Sequence, residues 1–202
     1  MTRMDTTRNS RSSAIINGTA DEVLPMLRLF YGAEVKGRGM VLEADKSEAA
    51  LQRAVEWMTK PGGKQWLFLT GNCGTGKTTL LKAIRNTLLE YNVENLSLRA
   101  SDFPNWFINN EEQTRLSLLH GDWCRVLLLD DIGVEQTEIK DYGNVIQPFI
   151  KIVEERYSRM LPMVVSTNLS GKEMTDRYGA RTIDRIKEMS EYIKYNAKSF
   201  RK

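Results

Sequence analysis

The segment Gly71-Asn72-Cys73-Gly74-Thr75-Gly76-Lys77-Thr78 constrains this chain more than any other. It fits G-x-x-x-x-G-K-[ST] at every position. An apolar run, Trp66-Leu67-Phe68-Leu69, precedes it, and Leu80, Ile84, Leu88 and Tyr91 fall on one helical face after it. Glycines at this spacing let successive backbone N–H groups turn inward, and a helix opening at Lys77 points its positive end the same way. A strand, loop and helix in that order form a cradle for phosphates. The expected nucleotide-binding residues are therefore Gly71, Asn72, Cys73, Gly74, Thr75, Gly76, Lys77, Thr78 and Thr79. Lys77 is expected to reach the β- and γ-phosphates, and the Thr78 hydroxyl to hold Mg²⁺. The Cys73 thiol lies near a helix terminus and could be reactive, but such loop positions accept many residues, and it is read as loop filler.

A second site follows about fifty residues later, where Val126-Leu127-Leu128-Leu129 ends in Asp130-Asp131-Ile132-Gly133. Four consecutive apolar residues predict a strand covered on both faces. A buried strand closing on an acidic pair is the Walker B pattern, with Asp130 expected at the metal and Asp131 at the attacking water. Alone, such a turn is common; its meaning comes from the phosphate loop upstream. A third strand, Met163-Val164-Val165, closes on Ser166-Thr167-Asn168. Asn168 either helps to place the water between the phosphate loop and Asp131 or serves as an N-cap or turn for the segment beginning at Ser170. No Asn-Lys-x-Asp guanine-reading motif occurs, which favours ATP over GTP.

Between these motifs strands alternate with helices, which predicts an α/β fold with a largely parallel sheet flanked by helices. Residues 1–20 are polar and aperiodic and read as a mobile tail, residues 21–60 as a short helical extension, and residues 61–202 as the nucleotide-binding core. Within the extension, Val23, Leu24, Leu27 and Leu29 form an amphipathic stretch, and Gly37–Met40 a loop. Ile139, Tyr142, Ile146, Phe149, Val153 and Tyr157 recur at helical spacing, with Pro148 predicting a break or restart inside the stripe. The 202 residues are 41% hydrophobic and 27% charged, enough for a core and too apolar for a disordered chain. No apolar stretch is long enough to span a membrane, and the amino terminus lacks a leader's apolar core, so a cytoplasmic protein is expected. One histidine and two cysteines in unrelated contexts exclude histidine-pair catalysis and thiolate metal sites. The net charge of +3 divides into +2 over residues 1–20, −3 over the middle and +4 over residues 171–202. Basic ends permit contact with nucleic acid, though solvated tails have the same composition.

Taken in order, GNCGTGKTTL, VLLLDDIGVE, YGNVIQPFIKIVEERYSRMLPMVVSTNLS, RYGARTIDRIKEM and the closing SFRK resemble the DnaC/IstB group of AAA+ ATPases. That group holds bacterial and phage replicative-helicase loaders and transposase helpers, and is related to the initiator DnaA. The likeness covers about residues 60–202. It implies a P-loop NTPase core of the ASCE type, with the Asp130-Asp131 strand lying between the phosphate-loop strand and others. It also makes Asn168 the first sensor residue and Arg185 the arginine finger that acts on ATP held by a neighbouring copy, with Arg181 a supporting cation. The plainer reading of these arginines is a salt-bridged helix face beside Asp184, Lys187 and Glu188. Asp131 stands where most AAA+ ATPases carry Glu, although paired aspartates are normal in this group. The helical lid of larger relatives is not expected in a chain of this length, and the roughly sixty residues before the core are fewer than a full partner-binding domain is expected to need.

The implied activity is slow, assembly-dependent hydrolysis of Mg-ATP, used to load a replicative DNA helicase onto single-stranded DNA. A transposition helper acting with a transposase on duplex DNA is the alternative. A small nucleotide or metabolite kinase has this length and loop but needs an arginine-rich lid that the sequence does not offer. An ATP-gated binding module with negligible turnover also fits. Phe103, Trp106 and Phe107 lie where relatives insert a DNA-contacting helical element. They either stack on bases or pack the helices onto the sheet.

Overall fold

Strands that are apolar at every position need cover on both faces, and alternation along each strand divides their side chains between two layers. The computed structural model describes residues 14–39, 44–141 and 143–195. Its central sheet has the order β2 (Asn95–Arg99), β3 (Val126–Ile132), β6 (Met163–Thr167), β1 (Trp66–Gly71), β7 (Ser190–Tyr195), and every pairing in it is parallel. Leu67, Leu69, Val126, Leu128 and Val164 point to the layer of α1 (Ala20–Gly37), α2 (Ala44–Thr59) and α3 (Lys77–Glu90). Trp66, Phe68, Leu127, Leu129, Met163 and Val165 point to the opposite layer. That second layer comprises α4 (Phe103–Asn109), α5 (Glu112–His120), α6 (Pro148–Ser158), α7 (Gly171–Tyr178) and α8 (Ala180–Met189). The expected three-layer α/β architecture is present.

The topology decides where chemistry can occur. β6 lies between β1 and β3, with Leu69 paired to Ser166 and Thr70 to Thr167. The ends of three neighbouring strands therefore bring the phosphate loop, Asn168 and the aspartate pair to one edge of the sheet, the usual ligand edge of open α/β folds.

Several expectations change. Residues 1–13 and 196–202, including the closing SFRK, lie outside the described residues, as do Met40 and Tyr142. Ala14–Thr19 is no tail: Ile15 and Ile16 are buried with the extension and the sheet, and Ile16 N–H donates to Met58 O at 2.8 Å. Arg125 ties the same stretch down by donating to the carbonyls of Ala14 and Ile15, each at 3.0 Å. α1 is longer than the expected stretch and buries Val23, Leu27, Tyr31 and Val35 at steps of four, which leaves Leu29 on the exposed face. The helical stripe expected from Ile139 is in its first half a hairpin, β4 (Ile139–Asp141) paired antiparallel with β5 (Asn144–Ile146). Pro148 then opens α6, the restart expected there, at a position where its missing N–H is harmless. Phe103 and Phe107 are core residues in edge-to-face contact, with Trp106 half-buried against Phe107. Packing, not base stacking, explains the two phenylalanines. Among the described residues no helix is long and apolar enough to cross a membrane.

Candidate functional site

The phosphate loop is shaped by three glycines with positive φ, Gly71 at 138°, Gly74 at 78° and Gly76 at 101°. Gly71 is also obligatory for space, since a Cβ there would lie 2.3 Å from Tyr195 O on β7. Thr75 Oγ1 pins the turn by donating to Asn72 O at 2.8 Å. Gly76 caps α3 without a side-chain bond, and Leu80 N–H is the one that returns to Gly76 O. The N–H groups of Lys77, Thr78 and Thr79 thus have no partner within the helix and face the loop's concavity, as anion sites require. Thr79 itself is buried, and Cys73 is exposed.

Lys77 is buried, and its ammonium donates to Gly71 O at 2.7 Å, Asn72 O at 2.8 Å and Asn168 Oδ1 at 2.6 Å. Burial pulls its pKa below the ordinary lysine value, and the nearby Asp131, Cys73 and Asp130 oppose that shift. Asn168 then uses its other end, Nδ2 donating to Asp131 Oδ1 at 2.6 Å. One neutral amide therefore joins the phosphate-loop cation to the second aspartate. Asn168 does not cap α7: Ser170 does, in a capping box with Glu173.

The two aspartates are separated by the backbone. Asp130 is buried at the end of β3, where its Oδ1 accepts from Thr78 Oγ1 at 3.1 Å and from Ser166 Oγ at 2.6 Å. Asp131 has φ 66°, and the register between β3 and β6 shifts across it. A left-handed conformation costs a non-glycine residue about 1–2 kcal/mol, and the bulge uses it to aim Asp131 towards Asn168 instead of across the sheet. Asp131 N–H is satisfied by Ser166 Oγ at 2.8 Å. Thr167 Oγ1 donates to Ile132 O at 2.6 Å, closing the next rung. Thr78 and Asp130 present a hydroxyl and a carboxylate side by side, hard oxygen donors of the kind Mg²⁺ takes alongside phosphate oxygens.

Arg185 is not part of this group. On α8 its guanidinium pairs with Glu154 at 2.8 Å and lies over the Tyr157 ring at 5.2 Å, both on α6. Arg181 is exposed on the same helix. The residues that sequence reasoning missed are Ser166, which bridges both aspartates, and Glu135, which sits buried just beyond them. The signal for Ser166 was a pair of hydroxyl residues ending an otherwise apolar strand.

The family model for the AAA proteins matches residues 67–186, more than half of the chain. The replicative helicase loader DnaC of Escherichia coli (strain K12) is 33% identical over 169 residues, covering 79% of this chain. The chain spans 66% of that relative's length. Among solved structures, DnaI superposes with a TM-score of 0.63 at 24% identity, covering 89% of this chain and 93% of that one. DnaA from Aquifex aeolicus, bound to AMPPCP, superposes with a TM-score of 0.60 at 20% identity, over 77% of this chain and 48% of that one. These two structural matches bear on fold alone. With the family match across the whole phosphate-loop-to-α8 region, the chain belongs to the AAA family, the ATPase family associated with various cellular activities, as a DnaC-like member of it.

Proposed function

We propose that this chain binds Mg-ATP, hydrolyses it slowly in an assembly of like subunits, and uses the cycle to load a replicative DNA helicase onto single-stranded DNA. The observation that carries the ATPase reading is the chain of contacts from Lys77 through Asn168 to Asp131, at the tips of three adjacent strands. The loop N–H groups and Lys77 would hold the triphosphate. Thr78 and Asp130 would hold Mg²⁺, which when bound neutralises charge on the phosphates. Asp131 would orient the attacking water and accept its proton. Asn168 fixes Asp131's carboxylate and, as a neutral amide, adds no charge of its own beside the γ-phosphate.

Nothing in this set supplies a cation on the far side of the γ-phosphate. Arg185 of a neighbouring copy is proposed to do so. To act there its guanidinium, 18% exposed, would leave both half-exposed Glu154 and the Tyr157 ring. The helicase and single-stranded DNA enter from the likeness to DnaC.

The test is transfer of a replicative helicase onto closed circular single-stranded DNA, which has no ends to thread. Bound helicase is counted after the chain is added with ATP, with ADP, or as its Lys77→Ala variant. Loading in ATP should exceed the other two several-fold and weaken as salt rises. No loading, combined with ATP-dependent stimulation of a transposase on duplex DNA, would overturn the loader reading in favour of the transposition helper.

A further inference from the structure

Asp131 owes its aim to a bulged turn, and a turn in a left-handed conformation keeps its shape only if both ends are held. The upstream end is held by Ser166 and Asp130. The downstream end begins at Gly133, with φ 118°, on which the Leu169 side chain sits so closely that a Cβ would come within 2.7 Å of it. Gly133 N–H donates to Glu135 Oε2 at 2.7 Å. Glu135 is 5% exposed, a buried carboxylate with no part in holding phosphate or metal.

What holds Glu135 comes from α7. Tyr178 Oη donates to Glu135 Oε1, and the Arg177 guanidinium donates to the Glu135 carbonyl while its Nε lies 3.8 Å from Oε1. Burial and the Glu135 carboxylate push the Tyr178 phenol well above its usual pKa, so it stays a donor throughout the working range. The Tyr178 ring is itself fixed against Phe149 on α6, centroids 4.7 Å apart. α7 starts at Gly171, three residues after Asn168. One helix therefore grips the chain just beyond Asn168 and, through Glu135, just beyond Asp131.

We propose that Glu135 is a positioning residue for hydrolysis: clasped by Arg177 and Tyr178, it holds Gly133 N–H and so fixes Asp131 against Asn168. This rests on the reading of Asp131 as the water-orienting carboxylate. It also gives α7, and the α8 helix that carries Arg185, a mechanical link to the Asp131 turn of its own subunit. A displacement of these helices by a neighbour would change hydrolysis without touching the phosphate loop.

The test is a double-mutant cycle between Glu135→Gln and Asp131→Asn, read by single-turnover ATP hydrolysis and ATP-analogue affinity. Tyr178→Phe serves as a milder second variant, since it keeps the packed ring and removes only the donor. Glu135→Gln should slow turnover on the order of 10- to 100-fold, the scale of a misplaced reacting group, with analogue affinity within about twofold of wild type. Tyr178→Phe should shift in the same direction by less. In the Asp131→Asn background, Glu135→Gln should add nothing further, because it acts through Asp131. Normal turnover in both clasp variants beside an inactive Asp131→Asn would overturn the positioning role and leave the reading of Asp131 intact. Parallel loss of affinity and turnover, or additive losses in the cycle, would mark a merely structural role and overturn it too. Normal turnover by Asp131→Asn would remove the reading of Asp131 itself, and this proposal with it.

Discussion

A hydroxyl can accept from one group while donating to another, and Ser166 does both between the backbone of Asp131 and the carboxylate of Asp130. It links Asp131, proposed for the water, to Asp130, proposed for the metal. Ser166→Ala should therefore leave the fold and raise the Mg²⁺ requirement for ATP turnover on the order of 10-fold, as removal of a partner behind a metal ligand does. Titrating turnover against Mg²⁺ checks this, and an unchanged requirement would show that Asp130 does not depend on the bridge. At this scale the sequence is readable where a site is contiguous. Residues 71–79 announce themselves because adjacent backbone groups do the binding. Ser166 and Glu135 act across strands or onto a later helix, so beyond the hydroxyl pair that ends β6 nothing local marks them. Asn168 was legible as one of two readings, and the structure removes its capping role because Ser170 takes the cap, while its amide meets Asp131.

An element's identity can be set from outside it, and α6 illustrates how. Arg156 on this helix is fully buried with no carboxylate partner among the described residues, and burial pushes its pKa down to about 10. It donates to the carbonyls of Leu118, Cys124, Arg125 and Pro162, at 2.8, 3.2, 2.6 and 3.2 Å, and so joins α5, the entry to β3 and the entry to β6. Replacing it by methionine keeps much of the volume and strands those acceptors. Arg156→Met should lower unfolding stability by at least about 1–3 kcal/mol, the cost of a buried acceptor left unmade, seen as a fall in the urea midpoint at constant slope. A midpoint unchanged from wild type would mean that water serves those carbonyls equally well. The hairpin before α6 was hidden for a related reason. Ile139 and Ile146, seven residues apart, would share a helix face, yet here they are cross-strand partners in strands of three residues each. Spacing alone cannot separate those cases when the strands are so short.

Across the whole molecule, the sheet was legible because each apolar strand feeds two cores and each helix returns the chain to the same edge. The burial of Ile15 and Ile16 was not, because two isolated apolar residues in a polar stretch carry no period. The site assembled at that edge has a cation from the loop, an amide and two carboxylates, while Arg185 on α8 is paired instead with Glu154 on α6. Under the proposed mechanism, the cation missing from that edge comes from a second copy. Arg185→Ala should keep ATP affinity and lose hydrolysis, since arginine fingers contribute roughly 10³–10⁵ in rate. Lys77→Ala should be inactive through loss of the phosphate clamp. The most direct measurement is steady-state phosphate release from mixtures of these two variants, with single-stranded DNA present to favour assembly, as a function of their ratio. Activity should rise above either variant alone and peak at intermediate ratios, where an intact Lys77 site meets an intact Arg185. If release never exceeds the weighted sum of the two inactive proteins while wild type is active under the same conditions, ATP is not hydrolysed between copies and the account is wrong.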